Sequence, residues 1–350
     1  MPFRAVLFAF VAAALFGFST PAAKILVASI DPMVLAGLLY CGAGLGAAVL
    51  RRIARPFTRA ERREAALSRT DWPWLAGAIA CGGVLGPSLM MLGLSRIDAA
   101  TASLLLTLEG AATALMAWFL FHENFDRRIA LGMLCLVAGA AVLSWSAQPT
   151  LGGFVGPALI IGACAAWGLD NNLTRKVSLA DPMQIVELKG LVAGPANIAV
   201  GLLAGGSIPD AWTAVVAGIV GFFGYGISLA LYIAALRHLG TARTGAYFST
   251  APFFGAAAAV VALSEPATLQ LLVAGILMAI GVWLHLTERH EHRHIHERLT
   301  HTHRHVHDEH HRHAHDDDVR SGEPHTHEHS HDAIAHSHPH APDMHHQHRH

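Results

Sequence analysis

The sequence between residues 4 and 287 consists of apolar segments, each close to the length that crosses a lipid bilayer as a helix. A bilayer core takes about 20 apolar residues in helical form. Only 14% of the 350 residues are charged, against about a quarter in a soluble protein, and few of the charges fall inside these segments. The predicted spans are residues 4–24, 32–50, 72–92, 98–121, 128–146, 154–175, 182–204, 212–236, 242–263 and 267–287. The sequence therefore predicts an all-α membrane protein with ten transmembrane helices.

The apolar segments form two sets of five that share short motifs in the same order. The matching pairs are Phe16-Gly17 with Trp167-Gly168, Asp31-Pro32 with Asp181-Pro182, and His122-Glu123 with Ser264-Glu265. An odd number of spans in each copy gives the two copies opposite orientations in the membrane. Inverted repeats are typical of secondary transporters, whose substrate site lies near the midplane between the repeats. We predict two inverted five-helix repeats, at residues 4–146 and 154–287.

The basic residues indicate the orientation of the chain. Positive charge near the ends of spans marks the cytoplasmic side. The second loop contains seven arginines, and the loops that alternate with it are also basic, whereas residues 148–153 and 205–211 contain none. The seven arginines are Arg51, Arg52, Arg55, Arg59, Arg62, Arg63 and Arg69. This pattern predicts a multi-pass protein of the cytoplasmic (inner) membrane with both termini in the cytoplasm.

These features resemble the EamA domains of the drug/metabolite transporter superfamily. The matching residues are Phe16-Gly17-Phe18 with Pro21 and Lys24, the two Asp-Pro turns, Trp167-Gly168, and the segments 99–123 and 240–265 that end in an acidic residue. The resemblance covers about residues 4–287 and implies a ten-helix carrier. Its central cavity would be lined largely by the third, fourth, eighth and ninth helices. Many relatives have proline in the fourth span, where this chain reads Thr107-Leu108-Glu109-Gly110.

Glu109 is the first candidate for the transport site. It lies near the middle of the fourth span, in an otherwise uncharged run from residue 99 to 121. A carboxylate at the bilayer centre costs about 2.5–3.5 kcal/mol on insertion scales, so it must face a cavity, form a pair or take up a proton. We predict a role in coupling or substrate binding. The alternative is a protonated side chain hydrogen-bonded to a neighbouring helix.

Further polar residues of the spans are candidates for substrate contact. The sixth span contains Asp170, Asn171 and Asn172, and Asp170 shares a helix face with Thr174. Asp170 is a candidate for a substrate contact or for a pair with Arg175 or Lys176. In the seventh span, Glu187 is predicted to meet Lys24, Arg175 or the substrate. Lys24 itself either joins the site or extends to the membrane interface.

The tail, residues 288–350, has a different composition, with 24 of the 26 histidines at or after His285. Such a polar sequence is predicted to be disordered. Neutral imidazole binds Zn, Ni, Co and Cu, and the repeated His-x-His spacing lets several rings reach one ion. The predicted metal ligands are His290, His292, His294, His296, His301, His303, His305, His307, His310, His311, His313, His315, His325, His327, His329 and His331.

Three hypotheses for function follow. The first is a secondary transporter that exports a small solute by alternating access, with proton coupling as an option. The second makes a divalent metal ion (Ni, Co or Zn) the substrate and the tail its cytoplasmic collector or sensor. The third is a metal buffer or sensor without transport. As partners we expect a lipid bilayer and a small-molecule or metal-ion substrate, and no nucleic acid. We expect no required cofactor and no enzyme activity. A homodimer is possible.

Overall fold

A computed structural model of the chain describes residues 2–54, 67–121, 127–145, 151–177, 180–239, 247–287, 290–295, 299–305, 325–331 and 335–340. The helices of the first half are α1 (Pro2–Val27), α2 (Pro32–Ala54), α3 (Trp72–Ala78), α4 (Gly86–Leu94), α5 (Ala99–Leu105), α6 (Leu108–Phe121) and α7 (Arg127–Ser144). Those of the second half are α8 (Val155–Lys176), α9 (Pro182–Leu203), α10 (Ala211–Gly221), α11 (Ser228–Leu239), α12 (Ala251–Ala262) and α13 (Leu269–Leu286). Short 3₁₀ turns at Arg69–Asp71 and Leu151–Phe154 precede α3 and α8.

Seven helices among the described residues are long and apolar enough to cross a membrane. They are Arg4–Val27, Pro32–Ala54, Arg69–Leu94, Ala99–Met116, Arg127–Ser144, Pro182–Leu203 and Ala211–Tyr232. Two further apolar helices, Ala251–Ala262 and Leu269–Leu284, are shorter. The helical membrane protein is therefore confirmed, and the count of ten spans stays a prediction.

The repeated Asp-Pro motif begins α2 and α9 in the same way. Asp31 Oδ1 accepts hydrogen bonds from the Met33 and Val34 amides at 3.0 and 3.2 Å. Asp181 Oδ1 accepts one from the Met183 amide at 2.9 Å. Each carboxylate satisfies amide groups that have no partner within the helix, and proline suits the first helical position because its φ is already helical. The motif thus fixes where both helices start.

Two of the membrane helices contain a π-helical segment. Ile79–Leu85 joins α3 to α4, and Phe222–Ile227 joins α10 to α11, so each pair forms one continuous helix. Both segments contain two glycines, which weaken the regular α-helical hydrogen-bond ladder. Single turns of π-helix inside α-helices are found frequently at functional sites.

The helices pack across the two halves of the chain. α2 lies against α9, α7 against α13, and α5 against α12. α1 contacts α11 and α12, and α8 contacts α4 and α6 in the corresponding way. The core between them contains Leu35, Leu39, Met90, Met91 and Leu105, each at most 2% exposed. Met90 and Met91 are therefore packing residues, as their apolar surroundings in the sequence predict.

Glycine allows a close approach between the second and eighth predicted spans. A Cβ atom on Gly42 would overlap the backbone of Gly218, carbonyl oxygen included. A Cβ on Gly218 would meet nothing within 4 Å. Small residues at such contacts let helix backbones approach where lipid offers no hydrophobic drive to associate.

Gly42→Ala is expected to lower the free energy of unfolding by about 2–3 kcal/mol, because the clash is with backbone that cannot rotate away. Gly218→Ala is the matched control and should change the free energy of unfolding by less than about 1 kcal/mol. Unfolding of the purified protein in a denaturing-detergent titration measures both. Equal effects of the two substitutions would contradict the close approach.

In the tail, the structure differs from the predicted disorder over four short segments. The strands β1 (His290–Ile295) and β4 (Ala335–His340) pair antiparallel, as do β2 (Leu299–His305) and β3 (His325–His331). The register places His292 opposite His338 and His303 opposite His327. Histidine recurs at every second position in these segments. Alternate residues of a strand point to the same face, so this spacing suits a strand, and the composition of the tail alone does not reveal it.

Candidate functional site

The fourth predicted span is interrupted near its middle, and Glu109 lies at the interruption. α5 ends at Leu105 and α6 begins at Leu108, which puts Glu109 in the first turn of α6. The Thr107 hydroxyl donates to the Leu104 carbonyl oxygen at 2.8 Å across the break. The N-terminus of a helix favours negative charge because its free amide groups point outward. The break therefore supplies a favourable position for a carboxylate inside the helix bundle.

The ninth predicted span is interrupted at the corresponding place. Tyr247 and Phe248 are helical, residues 249–250 form a turn, and α12 begins at Ala251. This turn divides the predicted span at residues 242–263, of which residues 242–246 lie outside the described part of the chain. Discontinuous helices at matching places in two halves of a transporter usually frame its substrate site.

The Glu109 side chain is half-buried and accepts a hydrogen bond from a neutral donor. The Asn171 amide donates to Glu109 Oε1 at 2.9 Å and to the Thr113 hydroxyl oxygen at 3.2 Å. The Thr113 hydroxyl in turn donates to the Glu109 carbonyl oxygen at 2.8 Å. Asn171 is exposed. The structure thus brings two of the predicted site residues, Glu109 and Asn171, into direct contact.

Asn172 fixes α8 against α6. Its buried amide donates to the Gly168 carbonyl oxygen at 2.8 Å and to the Thr113 carbonyl oxygen at 3.1 Å. A Cβ on Gly168 would stand only 2.9 Å from the Thr113 amide, so glycine lets the two helices touch. Gly17, the matching glycine of the first half, allows the same approach of α1 to Ala251 of α12. Asn172 therefore positions the helix that presents Asn171.

Asp170 forms a buried ion pair with Lys189 of α9. Lys189 Nζ lies 2.6 Å from each carboxylate oxygen, and the Thr174 hydroxyl donates to Oδ1 at 2.8 Å. The side chains of Asp170 and Lys189 are only 9% and 15% exposed. The shared face of Asp170 and Thr174 is confirmed. The partner that the structure shows is Lys189 of another helix, which was not among the predicted partners. The side chain of Arg175, one of the predicted partners, lies outside the part of the chain that the structure describes.

The π-helical segment of the third span presents a free carbonyl to two aromatic side chains. The Tyr40 hydroxyl donates to the Gly82 carbonyl oxygen at 2.7 Å, and the Trp167 indole donates to the same atom at 2.9 Å. A Cβ on Gly82 would overlap the Asp170 carboxylate. Gly82 therefore connects α2 and α8 to the third span, directly beside the ion pair of Asp170 with Lys189.

Aromatic rings from the first, second, eighth and ninth predicted spans contact one another and are here named the aromatic cluster. It consists of Phe16, Tyr40, Tyr225, Tyr232 and Phe248. Ring centroids lie 5.5 Å apart for Phe16–Tyr225 and Phe16–Phe248, 5.8 Å for Tyr40–Tyr225, and 5.0 Å for Tyr232–Phe248. All five rings are half-buried.

Lys24 and Glu265 hold the turn between α4 and α5, an arrangement here named the clamp. Lys24 Nζ donates to the carbonyl oxygens of Leu94 and Ile97 at 2.8 and 2.7 Å. The Glu265 carboxylate accepts from the amides of Ala99 and Ala100 at 2.8 Å each. Each charge sits at the helix end that its sign favours. Lys24 therefore binds main-chain carbonyl groups of this turn and does not meet Glu187.

Glu187 lies at the opposite end of the bundle from the clamp. Arg51, at the end of α2, binds both Glu187 and the capping residue Asp181, the latter at 3.0 Å. The partner of Glu187 that the structure shows is Arg51, and the predicted partner Lys24 is bound at the clamp. The side chain of the other predicted partner, Arg175, is outside the described part of the chain. This ion-pair group joins α2 to α9 beside the arginine-rich loop.

Four residues of this region were not predicted as site residues: Arg51, Lys189, Tyr40 and Glu265. Lys189 had a signal in the sequence, since it is a charged residue inside an apolar span. Tyr40 and Glu265 had none beyond their residue type, because their partners are backbone groups of distant helices.

The metal ligands predicted in the tail remain a prediction. Among the residues that the structure describes, no three His, Cys, Asp or Glu side chains are grouped to hold a metal ion. His290, His292 and His294 lie on β1, His301, His303 and His305 on β2, and His325, His327, His329 and His331 on β3. His296, His307, His310, His311, His313 and His315 lie outside the described residues.

Comparison with known proteins adds four findings. The model of the EamA-like transporter family matches residues 3–145 and 154–287. An uncharacterized transporter of Methanothermobacter thermautotrophicus is 27% identical over 282 residues, which cover 77% of this chain and 82% of that protein. The probable 4-amino-4-deoxy-L-arabinose-phosphoundecaprenol flippase subunit ArnE of Pseudomonas paraeruginosa is 42% identical over 79 residues, covering 23% of this chain and 66% of that protein. A solved crystal structure shares the fold, with a TM-score of 0.59 at 18% identity over 80% of this chain and 95% of that one.

Proposed function

The chain belongs to the EamA-like transporter family, and on this premise we propose that it exports a small solute across the cytoplasmic membrane by alternating access. The observation that carries the proposal is the Glu109 carboxylate at a helix break, opposite the break before α12. A charge that is costly to bury is retained in a membrane protein when it binds or releases something. We further propose that both termini are cytoplasmic and that Glu109 exchanges its cargo for a proton.

The two-fold pattern of helix contacts supports inverted repeats at residues 4–146 and 154–287. Contacts of α1 with α11 and α12 have counterparts in those of α8 with α4 and α6. The two π-helical segments, the two Asp-Pro caps and the two helix breaks also fall at equivalent places. Rocking of one repeat against the other around a fixed site is the movement that such an arrangement favours.

Release of solutes from vesicles tests the proposed function. Purified protein is reconstituted into liposomes that contain a small-molecule extract of the expression host, and a pH gradient is imposed. Solutes in the external buffer are quantified by mass spectrometry against protein-free liposomes. We expect one chemical class to leave faster with the protein present. No protein-dependent release of any solute, with or without the gradient, would contradict the proposal.

The histidine-rich tail supports a second role, binding of divalent transition metal. The ligands would be the histidines named above, in the cytoplasm. Whether the same ion is carried across the membrane is a separate proposal, in which the tail collects Ni, Co or Zn at the inner end. The third possibility, a buffer or sensor without transport, fits the tail but leaves Glu109 without a role.

A chain that ends at Thr287 is expected to lose most of its Ni²⁺ binding, because imidazole nitrogens are the main ligands for this ion. Equilibrium dialysis of the purified proteins measures the loss. Glu109→Gln is the control and should retain the binding of the full chain. Cellular Ni, Co and Zn content with the same three proteins then separates the roles. Accumulation that falls with the full chain and returns with Glu109→Gln indicates export, and accumulation that follows only the tail indicates buffering.

A further inference from the structure

The strand register of the tail pairs histidine with histidine at every second position. In the two-stranded ladder of β1 and β4, the facing pairs are His290 with His340, His292 with His338 and His294 with His336. In the ladder of β2 and β3, they are His301 with His329, His303 with His327 and His305 with His325. Because alternate residues of a strand belong to one face, the three pairs of each ladder share a face.

The facing pairs depend on the register and not on the histidine content alone. A shift of one residue between β2 and β3 would remove all three pairs of that ladder. In one direction of shift, His301 would face Ser330 and His303 would face Glu328. In the register that the structure shows, the residues between the histidines pair separately, and Glu328 faces Thr302.

A facing pair suits one metal ion better than two histidines of the same strand do. Directly opposed residues of an antiparallel ladder have Cβ atoms about 4.5–5.5 Å apart. Histidines two positions apart on one strand are about 6.6–6.8 Å apart. Zn–N bonds of about 2.0–2.1 Å place two nitrogens on one tetrahedral ion about 3–3.5 Å from each other, which favours the shorter separation. Each facing pair would supply two ligands, and water would complete the coordination.

The ladders need a source of stability besides their own hydrogen bonds. A two-stranded ladder is only marginally stable in water. β1 and β4 are also separated by residues 296–334, so their pairing closes a long loop at a cost in chain entropy. Where a metal site forms only in the folded chain, the free energy of metal binding adds to that of folding. An ion held by both strands would therefore stabilise the ladder that positions its ligands.

We infer that divalent transition metal ions bind the tail at its facing histidine pairs and thereby fasten β1 to β4 and β2 to β3. The inference rests on the proposed metal-binding role of the tail, since it names the ligand sets of that role. Imidazole ligands suit Ni²⁺, Zn²⁺, Co²⁺ and Cu²⁺. His336, His338 and His340 become ligands, although they are not among those predicted from the sequence, because composition does not reveal which strands face each other.

Equilibrium dialysis of the purified full chain at a fixed, saturating concentration of free Ni²⁺ tests the ligand sets. One variant replaces the three paired histidines of β3, a second replaces those of β2, and a third combines both. Threonine is the replacement because it favours strands. The substitutions are His325→Thr, His327→Thr and His329→Thr in β3, and His301→Thr, His303→Thr and His305→Thr in β2.

The β2 and β3 variants are each expected to lose about three bound ions, one for each facing pair. The combined variant should lose no more than either of them, because removal of one member of a pair already removes the site. Losses that add between β2 and β3 overturn the inference. The control combines the β3 substitutions with His290→Thr, His292→Thr and His294→Thr in β1. Since β1 pairs with β4 and not with β3, these losses should add.

Cleavage by trypsin after Arg304 tests whether the ion fastens the strands. Arg304 lies on β2 opposite Thr326 of β3, so its accessibility reports on that ladder. Ni²⁺ is expected to slow this cleavage about tenfold or more in the full chain, since a protease cuts the opened form. The β3 variant leaves β2 unchanged and should abolish the slowing, whereas the three β1 substitutions should preserve it within about threefold. A reference peptide without histidine corrects for any effect of Ni²⁺ on trypsin.

These outcomes separate failure of the inference from failure of the proposed metal-binding role. A full chain that binds no more Ni²⁺ than the chain ending at Thr287 contradicts the role and the inference together. Ni²⁺ binding without slower cleavage after Arg304, or with equal effects of the β1 and β3 substitutions on that cleavage, leaves the role standing and refutes the fastening of the ladder.

Discussion

Glu109→Gln is expected to lower the initial rate of solute release from proteoliposomes about 100-fold, since loss of one partner of a buried charged contact costs about 2–5 kcal/mol. Glutamine has nearly the same shape as glutamate and keeps an oxygen for the Asn171 amide, now 2.9 Å away. The substitution therefore removes charge and proton exchange without removing the local contact. Release under an imposed pH gradient is the measurement.

Asp210→Asn is the control for loss of a carboxylate. Asp210 is exposed and caps α10 through hydrogen bonds from the amides of Trp212 and Thr213. The Thr213 hydroxyl and these amides lower the pKa of Asp210, so it is charged at neutral pH. Asparagine caps helices about as well as aspartate. We expect unchanged release with this variant, and an equal loss in both variants would contradict a specific role for Glu109.

Lys189→Met is expected to lower the free energy of unfolding by about 3–5 kcal/mol, because it leaves Asp170 buried and unpaired. Among the described residues, the Thr174 hydroxyl then remains as a hydrogen-bond partner of Asp170. An added Asp170→Asn substitution removes the stranded charge and should recover at least half of the loss. Unfolding is measured by denaturing-detergent titration of the purified variants.

Lys176→Met is the matched control for loss of a lysine. Lys176 lies on the same helix as Asp170 but is exposed. Exposed charged contacts contribute about 0–1 kcal/mol, so the free energy of unfolding should change within that range. A loss of less than about 1 kcal/mol for Lys189→Met would show that Asp170 does not need this partner.

The sequence predicts the helices of this protein well because membrane spans and helix caps are local properties. The length of an apolar segment identifies a span. Asp31 and Asp181, each followed by proline, indicate where a helix starts. The break before Glu109 escaped prediction, because residues 105–108 are three leucines and a threonine and contain no proline or glycine. A break of this kind depends on what surrounds the helix rather than on its own composition.

The polar residues of the site could be predicted because a polar side chain inside an apolar span carries a free-energy cost. Their partners could not be predicted in this way. Asp170 was compared with residues one turn away, whereas its partner Lys189 is 19 positions distant. Glu187 was assigned to Lys24 or Arg175, and the structure pairs it with Arg51, 136 positions away. Helix periodicity relates residues within one helix only, so contacts between helices required the packed structure.

We expect the clamp at residues 94–100 to act as a latch, that is, to hold the helices together at one end of the bundle. Lys24 donates two of the hydrogen bonds that hold this turn, and Glu265 accepts the other two. The partner atom in all four bonds belongs to the main chain. Main-chain atoms are present whatever side chains the turn carries, so its sequence is free to vary while the latch is kept. Under the proposed alternating access, we expect this end of the helix bundle to open only when the four bonds exchange for water. The free energy of breaking these four hydrogen bonds would then determine how often the transporter exposes its site on this side of the membrane.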